Sequence, residues 1–349
     1  MLEKMAEYGH EQIFFASDND TGLRAIIAVH STVLGPALGG TRMWDYESEE
    51  DAIYDVLRLS KGMTLKNSAA GLNLGGGKAV IIGNPRKLKN EKFLRAYGKF
   101  VDRLNGSYIT AEDINIDVSD VEIISKSTKH VVGLHGEGKS GDPSPFTARG
   151  IFKGMQAGAK AKFGQESLKD KAVAIQGVGK VGYSLCKWLK EEGSNLIIAD
   201  INKKVADKVA MEFDARVVTS EEILSVECDI FAPCALGAVL NKDNVASLKC
   251  KLVAGGANNI LVDDLAGEAL ANRDILYIPD YIINAGGVIN ISVELEGQYS
   301  EQKAIDQVDK IYNNVENLLK FAKKERLATH LASDKFAMNR IQDFKKVKN

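Results

Sequence analysis

A glycine-rich turn between two strand-like segments places the strongest constraint on the fold of this 349-residue chain. Residues 171–176 are apolar and typical of a buried strand, and residues 180–191 have helical spacing. Residues 195–200 indicate a second strand, so the order predicts a βαβ unit with parallel strands. Further strands are expected at residues 229–232, 252–254 and 276–279. This alternation predicts a doubly wound parallel sheet.

The turn has the glycine spacing that dinucleotide-binding proteins use for a pyrophosphate. Its residues are Gly177, Val178, Gly179, Lys180, Val181 and Gly182. The first glycine permits the tight bend, the second admits the pyrophosphate, and the third lets helix and strand pack closely. N–H groups at the helix N-terminus also attract phosphate.

An acidic residue at the end of the second strand indicates which dinucleotide binds. The carboxylate of Asp200 can accept both ribose hydroxyls and would repel a 2′-phosphate. We therefore predict NAD as the cofactor. Lys203 and Lys204 lie close by and leave NADP open, and a structural turn without a cofactor is the other alternative.

The first part of the chain mixes strands and helices. Strands are expected at residues 12–16, 23–30 and 107–111, and helices after Ser48 and at residues 93–104 and 147–162. Residues 135–145 are rich in Gly, Pro and Ser, which is the composition of a loop or hinge. We place a domain boundary there. The first domain covers residues 1–145 and is completed by residues 326–349, and the second covers residues 146–325.

Two lysines, Lys66 and Lys78, enclose a segment that ends in three glycines, residues 75–77. Glycines let a substrate approach the backbone closely. A lysine in a partly apolar pocket can act as a base near neutral pH, because burial disfavours its charged form. A second ammonium group nearby could hold a carboxylate. The pair predicts a site for an amino acid or keto acid, with two solvated surface lysines as the ordinary alternative.

Four polar residues lie where strands or helices are expected to end or begin. Asp113 follows the strand of residues 107–111 and could exchange a proton with Lys78. Asn258 and Asn259 follow another strand, at the edge where ligands bind in open parallel sheets. Asn284 precedes a predicted helix and could contact cofactor or substrate. The alternative roles are an exposed acid for Asp113, a turn for Asn258 and Asn259, and a helix cap for Asn284.

Composition excludes several classes of protein. The 45 basic and 47 acidic residues nearly balance, so we expect no nucleic-acid partner. Four cysteines without CxxC spacing and five scattered histidines predict neither a disulfide framework nor a metal site. A nucleophilic role for Cys234 is a minor alternative. No membrane span or signal peptide is visible, so we expect a cytoplasmic protein.

In these segments the chain resembles the amino acid dehydrogenases related to leucine, phenylalanine and glutamate dehydrogenase, and the match is closest to the leucine dehydrogenases. The segments that carry the resemblance are residues 35–43, 66–78, 110–113, 141–145, 177–182, 231–235 and 284–287. The resemblance implies an α/β fold with an N-terminal substrate and oligomerisation domain and a Rossmann-type NAD-binding domain. It also implies a deep cleft between the two domains and a homo-oligomer of two to eight subunits.

The resemblance implies a role for individual residues. Lys66 would bind the substrate α-carboxylate, Lys78 would be the general acid and base, and Asp113 would relay protons with it. Thr147 would contact the nicotinamide carboxamide. The remaining cofactor contacts would come from residues 177–182 and from Asp200, Ile201, Cys234, Ala235, Asn258 and Asn284. The reaction would be oxidative deamination of an amino acid to a 2-oxo acid, ammonia and NADH, together with its reverse.

The implied substrate pocket is uncharged. In glutamate-specific members a lysine and a serine hold the side-chain carboxylate, and here Leu38 and Ile291 stand at those positions. The pocket residues would be Leu38, Gly39, Met63, Ala111, Asn259, Val288 and Ile291. An unpaired carboxylate there would cost several kcal/mol, so an aliphatic substrate such as leucine, isoleucine or valine fits best, with L-leucine first.

Three departures from the family pattern keep other readings open. Asn115-Ile116 stands where Gly-Thr is usual, and a similar pair occurs in tryptophan dehydrogenase-like members, so phenylalanine or tryptophan remains an alternative substrate. Arg149 stands where leucine dehydrogenases commonly have tyrosine, and Asn259-Ile260 replaces Asn-Gln. A non-catalytic NAD-binding regulator is the alternative from a different class.

Overall fold

The computed structural model describes residues 1–235 and 237–348 and forms two compact units. The first unit contains residues 1–142 and 291–300 together with the chain from Ala337 onward, and the second contains residues 143–290 and 301–336. Residues 326–336 belong to the second unit, where the ring of Phe336 packs on Phe321. Asn349, the end of the predicted completing segment, lies outside the described residues.

The first unit is built on a five-stranded mixed sheet in the order β1-β2-β4-β3-β5. Its strands are β1 (Gln12–Asp18), β2 (Leu23–Ser31), β3 (Ala37–Trp44), β4 (Gly75–Ile82) and β5 (Tyr108–Ala111). Its helices are α1 (Leu2–Tyr8), α2 (Glu49–Ala69), α3 (Pro85–Leu88), α4 (Glu91–Asp102) and α5 (Val118–Ser125). Strand β3 runs parallel to both β4 and β5, whereas β2 is antiparallel to β1 and β4.

Helices cover both faces of this sheet. On one face the buried residues are Ala52, Val56 and Leu57 of α2 with Ile26, Ala28 and Val80 of the sheet. On the other face Phe93, Leu94, Tyr97, Val121 and Ile124 of α4 and α5 pack on Ala25, Ile27, Val29, Ala79 and Ile81. Helix α2 begins at Ser48, whose Oγ accepts the Asp51 N–H at 3.1 Å. The strands and amphipathic helices predicted from residues 12–30 and 93–104 are thus confirmed.

Strand β3 has no counterpart among the predicted elements. Its Gly39 and Gly40 weaken the strand signal, because glycine has no side chain to pack and a high entropic cost. The close approach of neighbouring backbone explains Gly39: a Cβ there would collide with the carbonyl oxygen of Gly77 on β4. Hydrogen bonding to strands on both sides makes this segment a strand.

The second unit contains a six-stranded parallel sheet in the order β11-β10-β9-β6-β7-β8. The strands are β6 (Ala172–Gln176), β7 (Asn195–Ala199), β8 (Arg216–Val217), β9 (Ile230–Pro233), β10 (Leu252–Val253) and β11 (Leu276–Tyr277). The α-helices that follow Asp142 are α6 (Ser144–Phe163), α7 (Lys180–Glu192), α8 (Lys203–Phe213), α9 (Asp264–Asn272), α10 (Asp280–Ile283), α11 (Gly286–Val293), α12 (Glu301–Asp309), α13 (Ile311–Glu325) and α14 (Thr329–Lys348).

This sheet confirms the predicted doubly wound α/β fold. From β6 the chain moves outward through β7 and β8, then returns to β9 on the other side of β6 and continues to β10 and β11. The reversal between β6 and β9 is the topological switch point at which open parallel sheets bind ligands. None of the helices in the described part of the chain combines the length and apolarity that crossing a membrane requires.

Candidate active site

A buried ion pair joins two of the predicted catalytic residues. Lys78 lies within β4 with only 6% of its surface exposed, and its Nζ is 2.8 Å from Oδ2 of Asp113. Asp113 follows β5, and both β4 and β5 pair with β3. The sheet therefore brings an ammonium and a carboxylate from distant parts of the sequence to a distance at which they can exchange a proton.

The carboxylate of Asp113 is held in its ionised form. Its Oδ2 also accepts a hydrogen bond from Nε of Arg42 at 3.1 Å. Burial by itself would raise the pKa of Asp113, but the cations of Lys78 and Arg42 outweigh burial and hold the pKa below its usual value. Asp113 is therefore an anion at neutral pH and can stabilise a proton on Lys78.

Two residues that the sequence did not single out support this pair. Arg42 Nη1 donates to Oδ2 of Asp55 at 2.9 Å, and the Tyr46 hydroxyl donates to the same oxygen at 2.7 Å. Asp55 lies on α2, where the sequence shows only an ordinary acidic residue in an amphipathic helix. Arg42 lies in the family-like segment of residues 35–43, and membership of that segment is the signal that could have found it.

Lys66 lies in the last turn of α2 and is half-buried. This helix approaches β4 closely at Gly76, where a Cβ would collide with the backbone nitrogen of Thr64. The absence of a side chain at Gly76 thus lets the end of the helix that carries Lys66 pack on the strand that carries Lys78. The two lysines therefore belong to one packed helix–strand element of the first unit.

A residue near the C-terminus fixes the turn between those lysines. Arg340 of α14 donates to the carbonyl oxygens of Leu72 at 2.8 Å, Gly71 at 3.1 Å and Ser68 at 3.4 Å. It also donates to Oδ1 of Asn73 at 2.9 Å. These bonds tie Arg340 to the last turn of α2 and to the carbonyl groups of the turn that follows it. No pattern in the sequence predicts this contact.

The predicted pocket residues of the first unit are apolar and largely buried. Leu38 is fully buried in β3, Ala111 is buried at the end of β5, and Ile291 is half-buried. Met63 lies against Gly39, with its Cγ 3.3 Å from the position of a Cβ there. Asn259 and Val288 belong to the second unit, and their contribution to this pocket stays a prediction.

The glycine turn of the second unit has the shape that a pyrophosphate requires. Gly177 has φ +92°, and a Cβ there would lie 2.7 Å from the Cβ of Ala235. A Cβ on Gly182 would collide with the carbonyl oxygen of Gly177. By contrast, a Cβ on Gly179, the N-cap of α7, would meet nothing within 4 Å. Two glycines thus close the turn, and the middle one leaves space beside the helix N-terminus.

Asp200 is fixed by the same turn. Its Oδ2 accepts the Val178 N–H at 2.9 Å, and its Oδ1 accepts the Asn202 N–H at 2.8 Å. A carboxylate has about four acceptor positions, so these bonds orient Asp200 and leave capacity for two ribose hydroxyls. Ile201 beside it is almost fully exposed, at 94%. The turn and this acid fit the pyrophosphate and ribose of a dinucleotide.

A buried amide near the start of α11 retains an open acceptor. Nδ2 of Asn284 donates to Oδ1 of Asn258 at 2.9 Å, whereas Oδ1 of Asn284 is buried without a hydrogen-bond partner among the described residues. Such an orphaned acceptor calls for a donor that is absent from the polypeptide. Thr147 packs beside α11, since its Oγ1 lies 2.8 Å from where a Cβ of Gly287 would be. Both residues fit the binding of a carboxamide.

Comparison with known proteins assigns the chain to a family. Residues 10–130 match the profile of the Glu/Leu/Phe/Val dehydrogenase dimerisation domain, and residues 138–349 match that of Glutamate/Leucine/Phenylalanine/Valine dehydrogenase. The chain belongs to this family. It is therefore an amino acid dehydrogenase, a nicotinamide-dependent oxidoreductase that acts on CH–NH2 groups.

The relatives cover the whole chain. The leucine dehydrogenase of Geobacillus stearothermophilus is 51% identical over 100% of this chain and 95% of its own length. That of Bacillus subtilis (strain 168) is 52% identical over 98% and 94%. Among solved structures, L-tryptophan dehydrogenase from Nostoc punctiforme superimposes with a TM-score of 0.88 at 44% identity, with 99% of both chains covered.

The structure explains how Asn115-Ile116 replaces the Gly-Thr common in the family. Asn115 has φ +61°, a left-handed conformation that asparagine tolerates better than other non-glycine residues. Its Nδ2 donates to the Met43 carbonyl at 2.9 Å. Backbone bonds in both directions join Asp113 and Ile116, which is buried in the core. Asn115 and Ile116 therefore hold the turn that presents Asp113.

Two further positions have structural explanations. Arg149, where leucine dehydrogenases of the family commonly have tyrosine, makes two hydrogen bonds to Asp309, at 2.6 and 2.8 Å, and lies over the Trp188 ring. Burial raises the pKa of the Cys234 thiol to about 11, so the thiol is neutral at physiological pH. A nucleophilic Cys234 therefore has no support in this structure.

Proposed function

We propose that the protein oxidatively deaminates L-leucine with NAD, giving the 2-oxo acid, ammonia and NADH, and that it catalyses the reverse reductive amination. The observation that carries this proposal is the buried Lys78–Asp113 ion pair. It occurs in a chain that is about half identical, over its full length, to proteins named leucine dehydrogenase. An intact pair of this kind argues against a non-catalytic regulator, which has no use for a buried base.

The residues of the first unit divide the chemistry among them. Lys66 binds the substrate carboxylate with its ammonium group. Lys78 takes a proton from the water that attacks the imine carbon, and it returns a proton to the departing amine. Asp113, held as an anion by its two cations, stabilises the protonated lysine and passes protons on.

The second unit supplies the cofactor site. Its residues would hold NAD, whose nicotinamide would supply the acceptor for the hydride that leaves the substrate Cα. The turn of residues 177–182 holds the pyrophosphate, and Asp200 accepts the ribose hydroxyls and disfavours NADP. Asn284 and Thr147 orient the carboxamide, and Asn258 holds the Asn284 amide in place. Ile201, Cys234 and Ala235 complete the contacts.

An aliphatic pocket favours leucine over charged substrates, and the relatives favour leucine over aromatic ones. Leu38, Met63, Ala111 and Ile291 carry no group that could pair with a carboxylate, so glutamate is excluded by the cost of burying its charge. The tryptophan and phenylalanine dehydrogenases among the relatives are 45% and 42% identical, lower than the leucine dehydrogenases. The Asn115-Ile116 pair, which is similar to one in tryptophan dehydrogenase-like members, serves the Asp113 turn and gives no separate reason for an aromatic substrate.

The same proposal covers the assembly of the protein into subunits and its location in the cell. The profile that matches residues 10–130 is that of a dimerisation domain, which supports a homo-oligomer of two to eight subunits built through the first unit. A cytoplasmic location stays a prediction from composition. Size-exclusion chromatography with light scattering would measure the subunit number.

NADH formation with a panel of amino acids tests the proposed function. Leucine, valine and isoleucine should be oxidised with NAD much faster than phenylalanine, tryptophan or glutamate, and faster than with NADP. Lys78→Met should abolish turnover, whereas Lys99→Met, an exposed lysine of α4, should not change it. Preference for aromatic substrates would overturn the pocket assignment, and no turnover at all would favour the regulator.

A further inference from the structure

Arg42 connects two carboxylates that belong to different elements of the first unit. It projects from β3, donates through Nε to Asp113 at 3.1 Å and through Nη1 to Asp55 at 2.9 Å. The side chains of Arg42, Asp55 and Asp113 are only 18%, 16% and 24% exposed. Bridging of this kind uses the planar, many-donor geometry of a guanidinium, which lysine cannot reproduce.

Arg42 thus forms a bridge between Asp113 and Asp55, and the Asp55 carboxylate is itself held in place. Oδ2 of Asp55 accepts from both Arg42 and the Tyr46 hydroxyl, and Oδ1 accepts from Arg58 at 3.0 Å. Both oxygens of Asp55 are therefore bound, so its side chain has little freedom to rotate. An anion fixed on α2 in turn fixes the orientation of Arg42 and the direction in which Nε points.

The order of charges decides what the bridge does. Lys78, Asp113, Arg42 and Asp55 alternate in sign along a continuous chain of ion pairs. A lysine that acts as a base must spend part of each cycle neutral, and Asp113 then loses one of its two cations. An arginine keeps its charge throughout. Without Arg42, the half-buried carboxylate would lose both of its cations in that part of the cycle, which is unfavourable.

We propose that Arg42, anchored by Asp55, is a positioning residue for proton transfer. Its permanent charge keeps the Asp113 carboxylate ionised and correctly oriented while Lys78 is neutral. This inference rests on the proposed function, because it assigns Arg42 to the step in which Lys78 gives up its proton. It also accounts for an arginine in a strand position that faces the interior of the unit.

Replacement of Arg42 should alter the pH dependence of the reaction as well as its rate. In Arg42→Met we expect kcat to fall roughly tenfold to a hundredfold, since the proton-transfer groups lose their alignment. The acidic limb of the kcat/KM profile should move to higher pH, because the positive charge of the Arg42 guanidinium no longer favours loss of a proton from the neighbouring groups. KM for NAD should not change. Arg42→Lys should keep the acidic limb near its original pH, whereas its kcat should still be lower than that of the unaltered protein.

Chemical rescue separates this role from a merely structural one. Guanidinium ion at millimolar concentration should restore part of the kcat of Arg42→Ala, and potassium chloride at the same ionic strength should not. The matched control is Arg24→Met, since Arg24 of β2 also pairs with a carboxylate of α2, Glu49 at 2.5 Å, but is half-exposed. This control should retain the original rate and pH profile.

Each outcome decides the inference. A folded Arg42→Met enzyme with the original kcat and acidic limb would overturn it. If that variant does not fold, Asp55→Asn tests the same bridge with an isosteric change, and an unaltered pH profile there would also overturn it. If the unaltered protein oxidises no amino acid, the proposed function fails first. If Lys78→Met is inactive while the Arg42 and Asp55 variants behave normally, the inference alone fails.

Discussion

Oδ2 of Asp113 lies 2.8 Å from Nζ of Lys78, and the lysine is almost completely buried. The pair depends on the carboxylate charge, because a buried ammonium without an anion is unfavourable. The two residues therefore stabilise the fold and perform chemistry through the same contact.

Asp113→Asn removes that charge and preserves the shape of the side chain. We expect kcat for leucine oxidation to fall by about 10²-fold or more, since general acid–base assistance is lost. The melting temperature should also decrease, because Lys78 keeps a buried charge with only a neutral partner. Steady-state kinetics and calorimetry measure the two effects. Asp51→Asn at the exposed start of α2 is the control, and an active Asp113→Asn enzyme would remove Asp113 from the mechanism.

Two buried histidines predict loss of stability in mild acid. His10 Nε2 contacts Ser60 Oγ at 2.7 Å, His30 Nδ1 contacts Thr64 Oγ1 at 2.8 Å, and the two rings meet edge to face. Burial is the main cause that lowers both pKa values to about 4, and the positive charge of Lys61 lowers them further. In the unfolded chain a histidine titrates near 6.5.

The sign of the effect follows from proton binding. Below about pH 6.5 the two histidines bind protons in the unfolded chain but stay neutral in the folded protein. Their contribution to the free energy of unfolding is therefore fully present above that pH and declines as the pH falls toward 4. Between pH 6.5 and 5 the loss should approach about 2 kcal/mol for each histidine. Urea unfolding at several pH values measures it. His30→Gln should flatten the dependence, and a native protein equally stable at pH 7 and 5 would contradict the prediction.

The contact of Arg340 with the turn after α2 predicts a selective effect on substrate binding. In Arg340→Met the acceptors of Ser68, Gly71, Leu72 and Asn73 lose a charged donor, which costs about 2–3 kcal/mol of stability. The turn precedes the strand of Lys78, so KM for leucine should rise while KM for NAD stays constant. Lys335→Met, an exposed change on the same helix, serves as the control. Equal effects on both KM values would contradict a local role.

The environment of Asp200 predicts how cofactor preference can be changed. Asp200→Asn keeps an acceptor for the Val178 N–H but removes the negative charge that repels a 2′-phosphate. The ratio of kcat/KM for NADP to that for NAD should rise about tenfold, chiefly through a lower KM for NADP. Asp207→Asn, an exposed change on α8, should leave the ratio unchanged. An unchanged ratio in Asp200→Asn would show that Asp200 does not select the cofactor.

Local patterns predicted much of the second unit because the signals there are contiguous. The strand, the glycine turn, the helix and the acid all fall within residues 171–200, and the structure shows β6, α7 and β7 at these places. Each glycine of the turn has a local reason that can be inferred from spacing alone. The alternation of strands and helices likewise predicted a parallel sheet, and the order β11-β10-β9-β6-β7-β8 confirms it.

The first unit was harder to predict because its key elements are defined by distant partners. Strand β3 carries two glycines and has little strand propensity, and only its hydrogen bonds to β4 and β5 make it a strand. Because β3 was missed, Arg42 had no predicted neighbours. Asp55 likewise had the pattern of any exposed acid on an amphipathic helix.

The sequence by itself therefore determined the fold class, the dinucleotide turn and the identity of Lys66, Lys78 and Asp113 as candidates, because residue type and spacing along the chain are enough to specify these features. Only the tertiary structure decided that Asp113 lies between two cations, that Asp55 anchors Arg42, and that Arg340 closes the turn after α2. Electrostatic contacts depend on distance in space, and folding alone brings residues that are far apart in the chain within 3 Å of one another.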